Sequence, residues 1–169
     1  MFTATLVSPA AKSKYPQKSS RWHKLLLICL LCQAASTQAN TTEYQLTTIA
    51  ENLSFPWSIA FLPGGDHLVT ELGGNLLRIS ADGSSQISIA GVPAVYRAGQ
   101  GGLFDVVLDP DFAANQMLYL SYAAGDAERN GTTVARARLV GNSLEATEIL
   151  FSATPSKYAP LHYGCLLYT

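Results

Sequence analysis

An all-β chain built from consecutive four-stranded propeller blades is the fold class that residues 40–169 predict, and three observations carry the prediction. Short apolar stretches alternate with Gly, Pro, Asn and Asp. Little in the region reads as a long amphipathic helix. One plan of strand, proline turn and strand occurs twice, as WSIAFLPGGDHLVTE from Trp57 and LFDVVLDPDFAANQMLYLSY from Leu103. Pro63 and Pro110 hold matching places 47 residues apart, a spacing that fits one blade of four short strands.

Strands are predicted at 44–50, 57–62, 67–71, 75–80, 86–90, 103–108, 117–123, 132–140 and 144–152. Turn residues separate them: Pro63-Gly64-Gly65-Asp66 divides the second from the third, Gly73-Gly74 the third from the fourth, and Ala81-Asp82-Gly83 the fourth from the fifth. Asn130-Gly131 is expected to form a tight hairpin, because both residues tolerate positive φ. Residues 57–90 would be one blade, 103–152 a second, and 163–169 the first strand of a third. Propellers close with about four to eight blades, since an open end leaves apolar faces in water. Two blades and a fraction do not close, so the chain is expected to be part of a larger ring.

The chain has 169 residues and a formal net charge of -1. Five of its eleven basic residues, Lys12, Lys14, Lys18, Arg21 and Lys24, precede residue 40, where there is no acidic residue. The remainder carries six basic and twelve acidic side chains, a balance that argues against nucleic-acid binding. Arg21, His23 and Lys24 lead into the apolar run 25–32 (LLLICLLC) and then into QAASTQA, the pattern of an export signal cleaved after Ala39. The run is shorter than the ~20 residues that cross a bilayer, so no permanent anchor is expected. The domain division is therefore 1–39, export signal and preamble, and 40–169, the N-terminal part of a propeller, with a periplasmic or secreted destination. Residues 1–20 make a long lead-in, which either precedes the true start codon or stays unstructured. Cys29 and Cys32 fall inside the apolar run, where their spacing is read as accidental; Cys165 alone follows the cleavage point and has no internal partner.

In a propeller the innermost strands line a central channel, and the loops entering them form its mouth. Gln100, in the glycine-flanked stretch YRAGQGGLFDVVLDPDF, and His162, in LHYG, both stand just before such a strand. They occupy equivalent places in successive blades. His67 begins a strand directed away from that mouth and is read as structural. Asp109, Asp111 and Asn115 favour turn chemistry over a calcium loop, because Pro110 intervenes and no downstream carboxylate completes the ligand set. For Asp105, alternation leaves open both a hydroxylated acid-base partner and a purely structural bond. Asn40, Asn52 and Asn130 begin N-x-[ST] sequons, which matter only in a host that glycosylates exported chains.

The strings NLSFPWSIAFLPGGDHLVTELGGNLLRIS, GVPAVYRAGQGGLFDVVLDPDFAANQMLYLSYA, TTVARARL and LHYG together resemble the N-terminal part of the soluble aldose sugar dehydrogenases. These six-bladed propellers are related to soluble quinoprotein glucose dehydrogenase and use pyrroloquinoline quinone. The resemblance implies oxidation of an aldose at its anomeric carbon, with hydride passing to the quinone and His162 removing the hydroxyl proton. Imidazole suits that task because its pKa lies near the working pH. It also implies that Gln100 contacts the cofactor, its uncharged amide offering two donors and an acceptor. The glycines around Gln100 would let the loop approach a flat ligand closely. The bland alternative for Gln100 is a bond to its own loop. Calcium ligands and the basic residues for the quinone carboxylates are expected in later blades, with a small aldose as substrate and an electron acceptor that the sequence leaves unnamed. At the end of the chain, HYGCLLYT departs from the family's H-x-G-G-R-L, with Cys165 and Leu166 in place of Gly and Arg. A frameshift or a truncated gene produces that pattern, so the polypeptide is expected to be a fragment, inactive alone. The competing reading is a non-catalytic propeller module that binds protein or glycan.

Overall fold

The computed structural model describes residues 44–168, and the compact body carrying its strands begins at Leu46. The expected export signal and preamble, Cys29, Cys32 and the Asn40 sequon lie outside the described residues. Eight strands form two antiparallel sheets of four. The first, in the order β1-β2-β3-β4, comprises β1 (Pro56–Phe61), β2 (His67–Glu71), β3 (Leu76–Ile79) and β4 (Gln86–Ser88). The second, in the order β5-β6-β7-β8, comprises β5 (Leu103–Leu108), β6 (Met117–Gly125), β7 (Asn130–Val140) and β8 (Ser143–Ser152). Each sheet is one propeller blade, and both lie on the spans that the repeat predicts.

Local chemistry sets the strand ends. Between β1 and β2 the Gly65 amide donates to the Leu62 carbonyl at 2.9 Å, and Leu62 donates to Asp66 at 2.8 Å, closing the proline turn. Between β2 and β3 the buried Glu71 carboxylate accepts from the Ser54 amide at 2.6 Å and from Asn75 Nδ2 at 2.8 Å. The β5–β6 connection holds a single helical turn, α1 (Phe112–Asn115). Asp109 organises it by accepting from the Asp111 amide, Asn115 Nδ2 and the Tyr119 hydroxyl. Those bonds, with Asn115 the largest contribution, hold the Asp109 carboxyl below its ordinary pKa.

The blades pack face to face. Ala60, Leu62, Leu68, Leu76 and Ile89 of the first share one buried cluster with Leu103, Val106, Leu118, Leu120, Ala135 and Leu139 of the second. Burying each such Leu contributes about 1.5–3 kcal/mol relative to leaving it exposed. Side chains alternate along β1, so Ser58 and Ala60 face the second blade while Ile59 and Phe61, 50% and 67% exposed, face away. That outer side is an open blade face of the kind a further repeat covers.

Two polar bonds to the Asp105 carboxylate link it to segments on either side. Ser58 Oγ donates to Asp105 Oδ1 at 2.5 Å across a separation of 47 residues, the spacing of the two proline turns. The Leu167 amide donates to Asp105 Oδ2 at 2.8 Å across 62 residues. Asp105 thus ties β1 of the first blade and the segment after the second blade to the inner strand β5. An irregularity in the β5–β6 register between Leu103 and Val106 turns the Asp105 amide toward Ser121 Oγ, at 3.1 Å. Asp105 is therefore a structural staple between repeats.

Three expectations need correction. Residues 44–50 form no ladder strand; Ile49 and Ala50, with Leu53, instead pack their side chains on Val69, Leu77 and Ile79 of the first blade. Residues 163–168, expected to open a third blade, form no strand, since no neighbouring strand lies among the described residues to pair with them. Asn130-Gly131 is not the hairpin turn. The turn falls one step earlier, over 126–129, where Asp126 Oδ1 accepts from the Glu128 and Arg129 amides, and Asn130 is a buried residue opening β7.

Candidate active site

Two loops that enter inner strands meet beside the start of β5. In the first, Arg97 Nη1 donates to the carbonyls of Gly99 and Gly101, each at 3.0 Å, and its guanidinium lies 5.8 Å from the Phe55 ring centre. This tight coil allows no side chain at key points. Gly99 has φ +52°, and a Cβ there would stand 2.6 Å from the Pro160 carbonyl oxygen. At Gly102, with φ +154°, it would stand 2.3 Å from the Leu72 carbonyl oxygen. The glycines at 99 and 102 thus admit neighbouring backbone closely.

That packing brings the second loop against the first. The Gln100 amide donates to the Pro160 carbonyl at 2.9 Å. Gln100 Oε1 accepts from the His162 backbone N–H at 2.9 Å, across 62 residues, the same offset that relates Asp105 to Leu167. The structure therefore brings the two expected site residues together, and at equivalent places in successive repeats. The bond also fixes the glutamine's orientation: its oxygen must face the N–H, which leaves the Nε2 donors outward. Both residues are solvent-accessible.

His162 has φ +60°, a left-handed backbone uncommon outside glycine. Restraints on each side hold it there. Lys157 Nζ donates to the His162 carbonyl at 3.0 Å and to the carbonyl of Leu161, and lies 3.9 Å from the centre of the Tyr163 ring. Tyr163 packs on Phe104 at 5.5 Å and donates its hydroxyl to Asn130 Oδ1 at 2.6 Å. Burial raises the pKa of the Tyr163 hydroxyl, and burial likewise raises that of the neighbouring Cys165 thiol. Held through its backbone by an amide and an ammonium, His162 has an imidazole free to meet a ligand at the surface.

Lys157, Tyr163 and Asn130 carry this arrangement, and the sequence reading missed all three. An Asn-Gly pair signals a turn, and nothing local reveals that Asn130 reaches residues 28 and 33 positions away. His67 opens β2 and meets the Phe61 ring edge-on at 5.2 Å. Among the described residues no cluster of three or more His, Cys, Asp or Glu side chains could hold a metal ion.

Two consecutive four-stranded sheets, joined where the Gln100 side chain meets the His162 backbone, define a portion of a β-propeller. The chain belongs to the glucose/sorbosone dehydrogenase family, whose model matches residues 53–169. It is 34% identical over 142 residues to the aldose sugar dehydrogenase YliI of Escherichia coli K12, a match covering 82% of this chain and 38% of that protein. The crystal structure of the soluble E. coli aldose sugar dehydrogenase in its apo-form superposes with a TM-score of 0.68 at 36% identity, over 73% of this chain and 37% of that one. The PQQ-bound form of an aldose sugar dehydrogenase from Streptomyces coelicolor superposes with a TM-score of 0.54 at 31% identity, over 65% and 34% of the respective chains. The chain spans 34% and 38% of the lengths of the curated relatives it matches.

Proposed function

We propose that the protein formed by these blades and the rest of their ring oxidises aldose sugars at the anomeric carbon, with pyrroloquinoline quinone as hydride acceptor and His162 as general base. The observation that supports this reading is the bond from the His162 backbone N–H to Gln100 Oε1, which holds the two residues together where both are exposed. The pair fits the carbonyl edge of a quinone. It fits only part of the cofactor, because Arg97 Nη1 and Lys157 Nζ are engaged with backbone carbonyls, and the quinone carboxylates would call for further cations from other blades. Calcium belongs to the same proposal, with ligands from those blades.

When bound, the quinone supplies the electrophilic centre that takes up hydride. Gln100 Nε2 orients it by donating to its oxygen edge. The imidazole of His162 accepts the anomeric hydroxyl proton as the C1–H bond breaks, and later returns it to solvent. A fixed backbone serves this step, since general-base catalysis depends on holding the acceptor within hydrogen-bond reach of the proton. The sugar would leave as the lactone, and an acceptor outside the protein would take up the two electrons removed from it. Export to the periplasm or beyond the cell is part of the proposal and rests on the signal-like pattern at 21–39.

The test is aldose-dependent dye reduction by the protein carrying the remaining blades, loaded with the quinone and calcium. His162→Ala should lower turnover about 10²- to 10⁴-fold, the worth of a general base. Unchanged turnover would eliminate His162 as the base, and no sugar-dependent reduction by the loaded parent would eliminate the proposed reaction.

A further inference from the structure

Asn130 is 1% exposed, and an amide buried so completely is costly unless its polar atoms find partners. Packing alone would be served by an apolar residue, whereas a buried amide requires partners for its donors and acceptor. Asn130 has them. Its Nδ2 donates to the carbonyls of Asp126 at 3.2 Å and Tyr158 at 3.1 Å, and its Oδ1 accepts from the Tyr163 hydroxyl at 2.6 Å. Its backbone forms a reciprocal pair with Lys157, each N–H to the other's carbonyl at 2.9 Å. All but one of these bonds reach the same segment, 157–163, which carries His162.

The bonds form a closed circuit around that histidine. Asn130 fixes Lys157, whose ammonium holds the carbonyls of Leu161 and His162 and lies over the Tyr163 ring. Tyr163, next in sequence to His162, returns to Asn130 through its hydroxyl. A left-handed backbone at a histidine persists only where surrounding structure over-determines it, and this circuit supplies the determination on the side away from Gln100. We infer that Asn130 is a positioning residue that holds His162 at the rim where Gln100 meets it. The inference deepens the function proposed above and rests on it for its catalytic meaning. A corollary concerns the sequon: in the folded chain the Asn130 amide nitrogen is buried and engaged, so this site is closed to glycosylation enzymes that act on folded protein.

The experiment is two-dimensional NMR of the ¹⁵N-labelled full chain with amide hydrogen exchange, comparing wild type, Asn130→Ala and Tyr163→Phe. In Asn130→Ala the Lys157 amide should exchange about tenfold faster or more, and the His162 amide and ring resonances should shift, while Leu68 and Leu120 in the blade cores keep wild-type rates. Tyr163→Phe, which removes one bond and keeps the ring, should move the His162 signals in the same direction by less. If Asn130→Ala unfolds, seen as lost protection at Leu68 and Leu120, Tyr163→Phe decides. Wild-type His162 resonances in every variant that retains its blades would overturn the inference. The catalytic reading fails separately: were His162→Ala to leave sugar oxidation intact while Asn130→Ala still displaced the His162 signals, His162 would not be the base but Asn130 would still position it.

Discussion

Replacing Asp105 by alanine removes the carboxylate that ties β1 and the segment after the second blade to β5. The side chain is 8% exposed and accepts from Ser58 Oγ at 2.5 Å and from the Leu167 amide at 2.8 Å. Hydrogen bonds to a carboxylate are worth about 1.5–3 kcal/mol each. Ser58 is half-buried and regains some hydration, so the net loss should be about 2–4 kcal/mol. For a folded body of this size that corresponds to a fall in Tm of roughly 8–16 °C. Asp105→Asn is the discriminating companion, since an amide can accept from Leu167 with its oxygen and donate to Ser58 Oγ with its nitrogen. It keeps the geometry and gives up only the charge, for a cost of about 1 kcal/mol. Thermal and urea unfolding followed by circular dichroism would measure both. An Asp105→Ala variant within about 0.5 kcal/mol of wild type, the range of an ordinary surface change, would refute the staple.

Gly99→Ala should destabilise the chain by about 1–3 kcal/mol, because a left-handed backbone and a carbonyl 2.6 Å from the new methyl act together. The same change should loosen the Gln100–His162 bond, read as altered His162 and Gln100 NMR signals; wild-type stability would contradict the packing described. At the tip of the β3–β4 turn, hydrogen bonds from the Ser84 amide first, then from the Ser84 and Ser80 hydroxyls, lower the Asp82 carboxyl from 3.8 to about 2. A carboxyl lowered on folding contributes stability that is fully present above pH 3.8 and is lost as the pH falls through about 2. Carbon-13 NMR titration should place the Asp82 midpoint near 2 in the native chain, and a midpoint near 3.8 would show the turn bonds to be unformed.

The blade spans were legible because they rest on local signals. Apolar alternation and proline turns located β1 to β8 to within a residue or two, and the 47-residue repeat reappears as the Ser58–Asp105 separation. What failed depended on partners distant in sequence. Residues 44–50 alternate like a strand, yet alternation does not reveal whether a neighbouring edge exists to pair with, and their apolar side chains serve packing instead. DPDFAAN reads as a turn and contains one, but its helical turn is too short for periodicity to register. Gln100 and His162 were placed together by blade equivalence, while their actual bond runs from side-chain oxygen to backbone amide, a detail no residue pattern encodes. Asn130 misled most, because its sequence neighbour Gly131 signals a turn while its own amide is satisfied almost entirely from a later segment.

A shared quinone site at this rim is tested most directly by titrating the ¹⁵N-labelled protein carrying the remaining blades, with calcium present, with pyrroloquinoline quinone and following the Gln100 side-chain NH₂ and the His162 resonances. Both sets of signals should move together along one saturation curve, with Leu68 and Leu120 unmoved. Movement of one without the other, or of neither while the chain is folded, would contradict a shared quinone site at this rim.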